Sequence, residues 1–353
     1  MTPSCKHQPM PRRRLRHRLI LLLALPAAGT IPACTQNKAL IQSAAGEFVW
    51  PAPPEPPRVR YIGEISGALT GSNHQSLFQQ ILFGPPPERR LITPSAVAVD
   101  ASGTRVAIAD PNGHCVHVLD LPSNKSVSIE KAGGAELEAP IGVVWGGDFL
   151  FVSDPPRKVV ETFEVRELDV QHVRTVGGVF ERPTGLSQGT QSEALFVCDA
   201  AKHTVFVLDG KGAVVRKIGG PGSGPGQFRF PTNVACGDDG GIAVADSMNF
   251  RVQRFSPEGQ FVSAFGKKGD AAGDLALPKG LAIDAQGNVW VVDAQFENLQ
   301  VFHPQGELLL ALGGEGHGPG EFWLPAGAFV DRQQRLWVAD TYNRRVQIFQ
   351  LTP

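Results

Sequence analysis

The feature that most constrains this chain is a repeat of about 47 residues, which two independent landmarks mark out. A proline opens one apolar run in each copy, and the six prolines are Pro94, Pro140, Pro183, Pro231, Pro278 and Pro325. An aspartate closes the next apolar run, and the six aspartates are Asp110, Asp154, Asp199, Asp246, Asp293 and Asp340. Because both landmarks keep one period, the chain contains six copies of one structural unit.

Each copy predicts four short strands. In the fifth copy the apolar runs are "GLAID", "VWVVD", "LQVF" and "ELLLALGG", and Gly, Pro, Asp and Asn residues separate them. Such runs are typical of strands joined by tight turns, and no helical period competes with them. Repeated four-stranded units of this length predict an all-β fold, namely a six-bladed β-propeller.

The last copy is one strand short, since the chain ends on "RLWVADTYNRRVQIFQLTP". The N-terminal run "RVRYIGEI" at residues 58–65 resembles the fourth strand of other copies, such as "AVVRKIGG". We predict that this run pairs with the C-terminal "VQIF" and closes the ring between blades six and one. Closure removes the open sheet edges that an unclosed array would expose.

Two motifs, in copies four and six, resemble the repeat signature of a known family. "VADSMNFRVQRF" and "VADTYNRRVQIF" are similar to the signature of NHL repeats, and the similarity spans about residues 58–353. Copies two and three, "VSDPPRKVVETF" and "VCDAAKHTVFVL", lack the Asn and Arg of that signature, so their assignment depends on spacing more than on the motif. The resemblance implies a binding platform, as NHL propellers largely are, whereas related six-bladed propellers include lyases and lactonases. Family membership therefore leaves function open.

The N-terminus predicts export. "RRRLRHR" is basic, "LILLLALPAAG" is a short apolar run, and residues 1–33 together predict a signal peptide. The sequence "IPAC" resembles a bacterial lipobox, which implies that Cys34 is acylated and becomes the mature N-terminus; secretion without lipid is the alternative. Residues 34–57 predict a Pro-rich, extended tether. We expect a membrane-anchored lipoprotein that faces the periplasm or the cell surface, with the propeller at residues 58–353.

The charge of the exported chain limits the kinds of partner that it can bind. Beyond residue 33 the chain has 27 basic and 34 acidic residues, so we expect no nucleic-acid partner. We also expect the closed propeller to be a monomer.

Cys198 and Cys236 lie on predicted strands of adjacent blades. Both a disulfide and two buried free thiols remain open for this pair, and Cys115 has no evident partner.

The first two residues after each landmark proline should surround a central channel. They are Ser95, Ala96, Ile141, Gly142, Thr184, Gly185, Thr232, Asn233, Lys279, Gly280, Ala326 and Gly327. None is His, Asp or Glu, so the rim predicts no catalytic residue, metal or cofactor. Lys279, Thr232 and Asn233 are candidates for holding an anion or a carbonyl. The competing interpretation is a rim of small, crowded residues with one solvated lysine.

The six landmark aspartates have two interpretations, a metal array or turn caps. We predict that each caps its own turn by accepting backbone N–H bonds. His114 and His203 occupy one repeat position where other copies have Lys, Phe, Glu or Arg, so this position predicts a solvated turn.

The residues before each landmark proline predict a surface patch. Three places before it every copy has a large apolar residue, which should face the core, so the side chain two places before it should point outward. Those outward positions include Trp323 in copy six and Ile92 in copy one. Between these copies lies the insertion containing "SLFQQILF", which predicts a helix near residues 74–83. Either this helix covers the patch, or the patch binds a protein or peptide of the cell envelope.

Two functions remain. The favoured hypothesis is an envelope-anchored NHL-type propeller that acts as a protein- or ligand-binding scaffold. The alternative is a lyase or lactonase-type enzyme that uses the channel.

Overall fold

The computed structural model describes residues 39–67, 69–70, 88–189 and 193–352. The predicted signal peptide, Cys34 and the predicted helix near residues 74–83 lie outside these ranges. Within them, the only helices are two short 3₁₀ turns, at Pro111–Gly113 and Ser247–Asn249. No helix among the described residues is long and apolar enough to cross a membrane.

The strands group into six radial sheets, the blades. Four strands precede blade one: β1 (Val49–Trp50), β2 (Val59–Ile65), β3 (Leu69–Thr70) and β4 (Glu88–Arg89). Blade one contains β5 (Ala96–Val99), β6 (Arg105–Asp110), β7 (Cys115–Asp120) and β8 (Lys125–Ile129). A small hairpin follows, formed by β9 (Lys131–Ala132) and β10 (Ala135–Glu136). Blade two contains β11 (Gly142–Gly146), β12 (Phe149–Asp154), β13 (Val159–Arg166) and β14 (Asp169–Val176).

The remaining blades repeat this order. Blade three contains β15 (Pro183–Gln188), β16 (Leu195–Asp199), β17 (Thr204–Leu208) and β18 (Val214–Ile218). Blade four contains β19 (Pro231–Cys236), β20 (Ile242–Asp246), β21 (Arg251–Phe255) and β22 (Phe261–Phe265). Blade five contains β23 (Pro278–Ile283), β24 (Val289–Asp293), β25 (Asn298–Phe302) and β26 (Leu308–Leu312). Blade six contains β27 (Ala328–Val330), β28 (Arg335–Asp340) and β29 (Arg345–Leu351), completed by β2 and β1.

Burial explains the sequence pattern of each strand. The second strand of blade five, "VWVVD", is buried at every position because neighbouring blades cover both of its faces. The outermost strand of the same blade, "LLLAL", alternates between partly buried and exposed positions because one face meets solvent. The core therefore consists of apolar layers between successive blades rather than one central cluster.

The ring closes as predicted. Strand β2 pairs antiparallel with β29, with Val59 opposite Leu351 and Ile65 opposite Val346. Val59 and Ile65 are both fully buried. The first and last parts of the chain therefore share one sheet.

The folded unit extends into the segment that the sequence predicts as a tether. Strand β1 pairs with β2, and the backbones of Gln42 and Glu64 exchange two hydrogen bonds of 2.8 and 2.9 Å. Leu40 is buried, and its N–H donates to Asn124 Oδ1 in blade one (2.7 Å). Residues 40–50 thus pack on the propeller instead of extending away from it.

One glycine makes this packing possible. Gly320 has φ of +77°, and a Cβ atom there would overlap the indole ring of Trp50. The same ring packs edge-on against Phe349, with centroids 5.8 Å apart. Trp50 therefore joins the N-terminal segment to blade six at a site that only glycine fits.

The landmark aspartates accept backbone N–H bonds as predicted, but mostly not from their own turns. Asp246 accepts from Arg229 N–H (2.7 Å), seventeen residues earlier, and no backbone N–H of its own turn donates to it. Asp293 accepts both from Ala276 N–H (2.7 Å) and from its own turn. The prediction that each aspartate caps its own turn is therefore confirmed for Asp110, Asp199 and Asp293 and wrong for Asp246. All six aspartates also accept backbone N–H bonds from the loop leading to the landmark proline.

Candidate functional site

Two sets of loops form one end of the propeller, here called the upper face. The first set consists of the inlet loops, which end at the landmark prolines, and the second consists of the turns that follow the landmark aspartates. In blade one, Asp110 joins the two, since it accepts from the N–H groups of Ile92 (2.7 Å) and Thr93 (2.8 Å). All six landmark aspartates are completely buried beneath this face.

A cavity of about 340 Å³ lies along the channel at the upper face. Every predicted rim residue except Gly280 lines it. The small residues are required there, because a Cβ on Gly185 would lie 2.7 Å from Asn233 Cα and one on Gly327 would lie 2.7 Å from Ser95 O. The predicted crowding of small residues at the axis is therefore present.

The three predicted anion-holding residues line this one cavity. They differ in whether the polar group of the side chain is already bonded within the protein. The Thr232 hydroxyl donates to the Lys279 carbonyl (3.0 Å), so it connects blades four and five. Lys279 makes no ion pair with any described residue, and burial lowers the pKa of its ammonium group. The sequence argument missed Arg182, which also lines the cavity, because it stands before its landmark proline rather than after it.

A second cavity of about 410 Å³ lies at the other end of the channel. Its carboxylates include Asp284 and Asp331. Each carboxylate accepts a hydrogen bond within its own blade: the indole N–H of Trp290 donates to Asp284 (3.0 Å), and that of Trp337 donates to Asp331 (2.9 Å). These acids support the turns between inner strands, since each also accepts backbone N–H bonds within its own turn.

The predicted patch residue Trp323 lies in an exposed cluster of three rings on blade six. Its indole is 5.6 Å from the His317 ring and 5.5 Å from the Tyr342 ring, between centroids. The side chain of Trp323 is 41% exposed, and His317 and Tyr342 are exposed as well. We call these three residues the blade-six cluster; it combines two inlet-loop residues with one residue of the aspartate turn.

Ile92 lies on the same face in blade one and is 45% exposed. The Thr341 hydroxyl donates to the Pro94 carbonyl (2.8 Å), so the turn that bears Tyr342 lies beside the loop that bears Ile92. Trp323 packs against the rings of His317 and Tyr342, and Ile92 is exposed in the neighbouring blade. The predicted covering helix lies outside the described residues.

A second apolar group lies on the same face across the ring, at blades three and four. His203 and Phe230 pack edge-on with centroids 4.7 Å apart, and Phe230 and Met248 are exposed. Sequence reasoning missed this group because its residues come from two blades and follow no single repeat position. Three exposed arginines accompany the two groups and form no ion pair with a described residue: Arg182, Arg229 and Arg344.

The two copies that resemble NHL repeats share one buried network. In blade four, Asp246 Oδ2 accepts from Asn249 (2.8 Å), Arg251 (2.8 Å) and Gln253 (3.0 Å) side chains. In blade six, Asp340 Oδ2 accepts from the equivalent side chains, Asn343 (2.9 Å), Arg345 (2.8 Å) and Gln347 (3.0 Å). The signature residues thus donate hydrogen bonds to the buried landmark aspartate of their own blade.

Family models match two parts of the chain. A model described as an NHL repeat matches residues 322–349, and one described as a 6-bladed beta-propeller matches residues 190–264. This chain is a six-bladed β-propeller, and its last blade matches an NHL repeat.

Solved structures of similar shape come from proteins of different activities. A virginiamycin B lyase from Staphylococcus aureus is 13% identical, with coverage of 74% of this chain and 96% of the lyase and a TM-score of 0.53. An auxiliary nutrient binding protein from Bacteroides thetaiotaomicron is 11% identical, with coverage of 73% and 69% and a TM-score of 0.58. A gluconolactonase from Xanthomonas campestris is 16% identical, with coverage of 74% and 87% and a TM-score of 0.55. At these identities the likeness establishes the fold of the propeller alone.

The propeller also buries a thiol, an imidazole and a carboxylate together in blade one. His117 Nε2 lies 3.4 Å from Cys115 Sγ and 3.5 Å from Asp110 Oδ2. Burial raises the pKa of the Cys115 thiol to about 12, so this cysteine stays protonated at neutral pH. Because one imidazole nitrogen faces both partners, the group lacks the relay geometry in which each nitrogen serves one partner.

The other two cysteines among the described residues are also free thiols. Cys198 and Cys236 form no disulfide in the structure, and burial raises the pKa of Cys236 to about 12. In the described part of the propeller, no three His, Cys, Asp or Glu side chains are grouped closely enough to hold a metal ion.

Proposed function

We propose that this NHL propeller is an envelope-anchored, non-catalytic scaffold whose upper face binds an acidic, apolar segment of another protein. The observation that carries the proposal is the exposed blade-six cluster, in which Trp323 and Tyr342 lie beside the unpaired Arg344. Trp, Tyr and Arg are the residue types that most often dominate protein interfaces. An auxiliary nutrient binding protein shares the fold, so this architecture also serves binding proteins.

Charge complementarity favours an acidic partner segment. The mature chain is acidic as a whole, yet three unpaired arginines are exposed on the upper face. A segment with carboxylates between apolar side chains would meet both the arginines and the two apolar groups. Opposite charges at an interface accelerate association and select the correct partner.

The experiment uses cross-linking from the upper face in intact cells. Tyr342 is replaced by the photoreactive residue p-benzoylphenylalanine, and Phe149 is replaced in the matched control. Phe149 is an equally large ring, 40% exposed, at the start of β12 on the opposite face. We expect one discrete adduct from position 342, mapped by mass spectrometry to an acidic segment with apolar residues, and no such adduct from position 149.

Two further substitutions test the assignment of residues. Trp323→Ala and Arg344→Glu, each combined with the photoreactive residue at position 342, should abolish the adduct while leaving stability within about 0.5 kcal/mol of the parent. An adduct that survives both substitutions, maps to a segment without acidic residues, or forms equally from position 149 contradicts the proposal. The absence of any adduct from position 342 also contradicts it.

Anchoring is tested separately. Acylation of Cys34 would hold the propeller at the membrane, because a lipid chain contributes about 0.8 kcal/mol per buried methylene group. Cys34→Ser should therefore shift the protein from the membrane fraction to the soluble fraction, whereas the control Cys236→Ser should remain with membranes. Retention of the Cys34→Ser protein after detergent-free washing refutes the lipid anchor.

A further inference from the structure

The upper cavity of the channel has two chemically different sides. Blades six, one and two line it with apolar groups, including Phe329, Ala96, Ile141 and Val143. Blades three, four and five add apolar residues such as Leu186, Val234 and Leu281, and they also supply both cationic side chains of the lining and most of its polar ones: Arg182, Thr184, Ser187, Thr232, Asn233 and Lys279. None of the lining residues is Asp or Glu. The cavity therefore has apolar side chains from every blade, and its positive charge lies only on the side of blades three to five.

Lys279 is the charged group at the centre of the polar side. It is half-buried, and no described carboxylate pairs with it. Burial of an ammonium group without a counter-charge is unfavourable. An anion that entered the cavity would remove this cost, so Lys279 favours anionic over neutral occupants.

The neighbouring polar groups limit how many donors such an anion meets. The hydroxyls of Ser95 and Thr232 already donate to backbone carbonyls of the next blade, at 3.0 Å each. The side-chain amide of Asn233 forms no hydrogen bond with a described residue, so its N–H groups are free to donate. Lys279 and Asn233 together suit one carboxylate, whereas a phosphate would need more donors than they supply.

We propose that the channel of this propeller binds a small amphipathic monocarboxylate, with its carboxylate at Lys279 and Asn233 and its hydrocarbon part against blades six, one and two. The volume of about 340 Å³ is near the lower end of the range of ligand cavities, which begins at about 300 Å³. Arg182 adds positive charge to the same lining and attracts anions. This site is independent of the blade-six cluster and does not require the proposed partner protein.

Three probes of one size and different charge test this site on the purified protein: hexanoate, hexanamide and hexylamine. Calorimetric titration should give an affinity for hexanoate at least about tenfold higher than for hexanamide, with no binding of hexylamine. Lys279→Met, which keeps an apolar chain of similar length, should weaken hexanoate binding by about tenfold or more. Lys279→Arg should retain it, and the control Lys211→Met, in an exposed turn outside the cavity, should leave it unchanged.

A second measurement locates the ligand. Limiting acetic anhydride acetylates lysine side chains through their neutral amine form, with acetate as the leaving group, and mass spectrometry gives the ratio of labelling at Lys279 to that at Lys211. Hexanoate should lower this ratio, whereas hexanamide should not. Equal affinities for hexanoate and hexanamide, no binding of any probe, or an unchanged affinity in Lys279→Met would each overturn the proposal.

Discussion

Replacement of Ile65 by alanine tests whether the closing strand stabilises the whole ring. Ile65 is completely buried, and it packs in one apolar cluster with Val346, Ile348 and Trp337. Truncation of a buried Ile to Ala costs about 2–5 kcal/mol, because the methyl groups are lost and a cavity remains. The surrounding strands are held on both sides, so we expect little relaxation and a cost of about 3–4 kcal/mol. That is a large part of the 5–15 kcal/mol that stabilises a typical domain.

The assay is urea denaturation followed by tryptophan fluorescence and far-UV circular dichroism. Trp145, Trp290 and Trp337 report blades two, five and six. If closure makes the ring cooperative, both signals should shift together to lower urea in Ile65→Ala, with an unchanged slope. The control is Val262→Ala, on the outermost strand of blade four, where Val262 is 60% exposed and the cost should be below about 0.5 kcal/mol. A loss in Ile65→Ala within about 1 kcal/mol of this control, or separate transitions for the two signals, refutes the reasoning.

Three further outcomes follow from the structure. Gly320→Ala should lower stability by about 2 kcal/mol or more, because the new methyl group overlaps the Trp50 ring and a φ of +77° strains alanine. The part of the loss that comes from the overlap should disappear in a Trp50→Ala background, and additive effects in the double-mutant cycle contradict the contact. In the folded Cys34→Ser protein, the three thiols of Cys115, Cys198 and Cys236 should resist Ellman's reagent at pH 8, because burial raises the pKa of each thiol. All three should react in denaturant. Rapid reaction of the folded protein would contradict their burial. Lys279→Met should raise the free energy of unfolding at neutral pH, because burial lowers the pKa of Lys279 from its ordinary value near 10.5 and its charged form destabilises the fold. That gain should shrink as the pH rises from the lowered pKa towards 10.5, where the parent loses the charge, and urea titrations across this range check the sign.

The sequence predicts the parts of this propeller that recur with the repeat. The landmark prolines locate the inner strands, so eleven of the twelve predicted rim residues line the upper cavity. The position three before each proline is buried and the exposure of Trp323 and Ile92 follows from it. These predictions succeed because strand alternation and turn chemistry act over a few residues.

Features that depend on distant pairs could not be predicted in this way. Strand β1 covers only Val49–Trp50 in a Pro-rich segment, and the glycine that accommodates Trp50 is far along the chain. The blade-six cluster is assembled from two separate loops, and Arg182 enters the cavity lining from a position that the rim rule ignores. In each case three-dimensional proximity, which no local pattern records, creates the contact.

The order in which the N-terminal segment attaches to blade six determines how the propeller would respond to tension. A pull applied before residue 40 first loads the buried Leu40 and then the two hydrogen bonds between Gln42 and Glu64. It next reaches β1 and the Trp50 ring, and only then β2, whose pairing with β29 closes the ring. Under such tension these outer contacts would break first. The pairing of β2 with β29 would then stay intact, and the propeller would remain folded while the N-terminal segment extended.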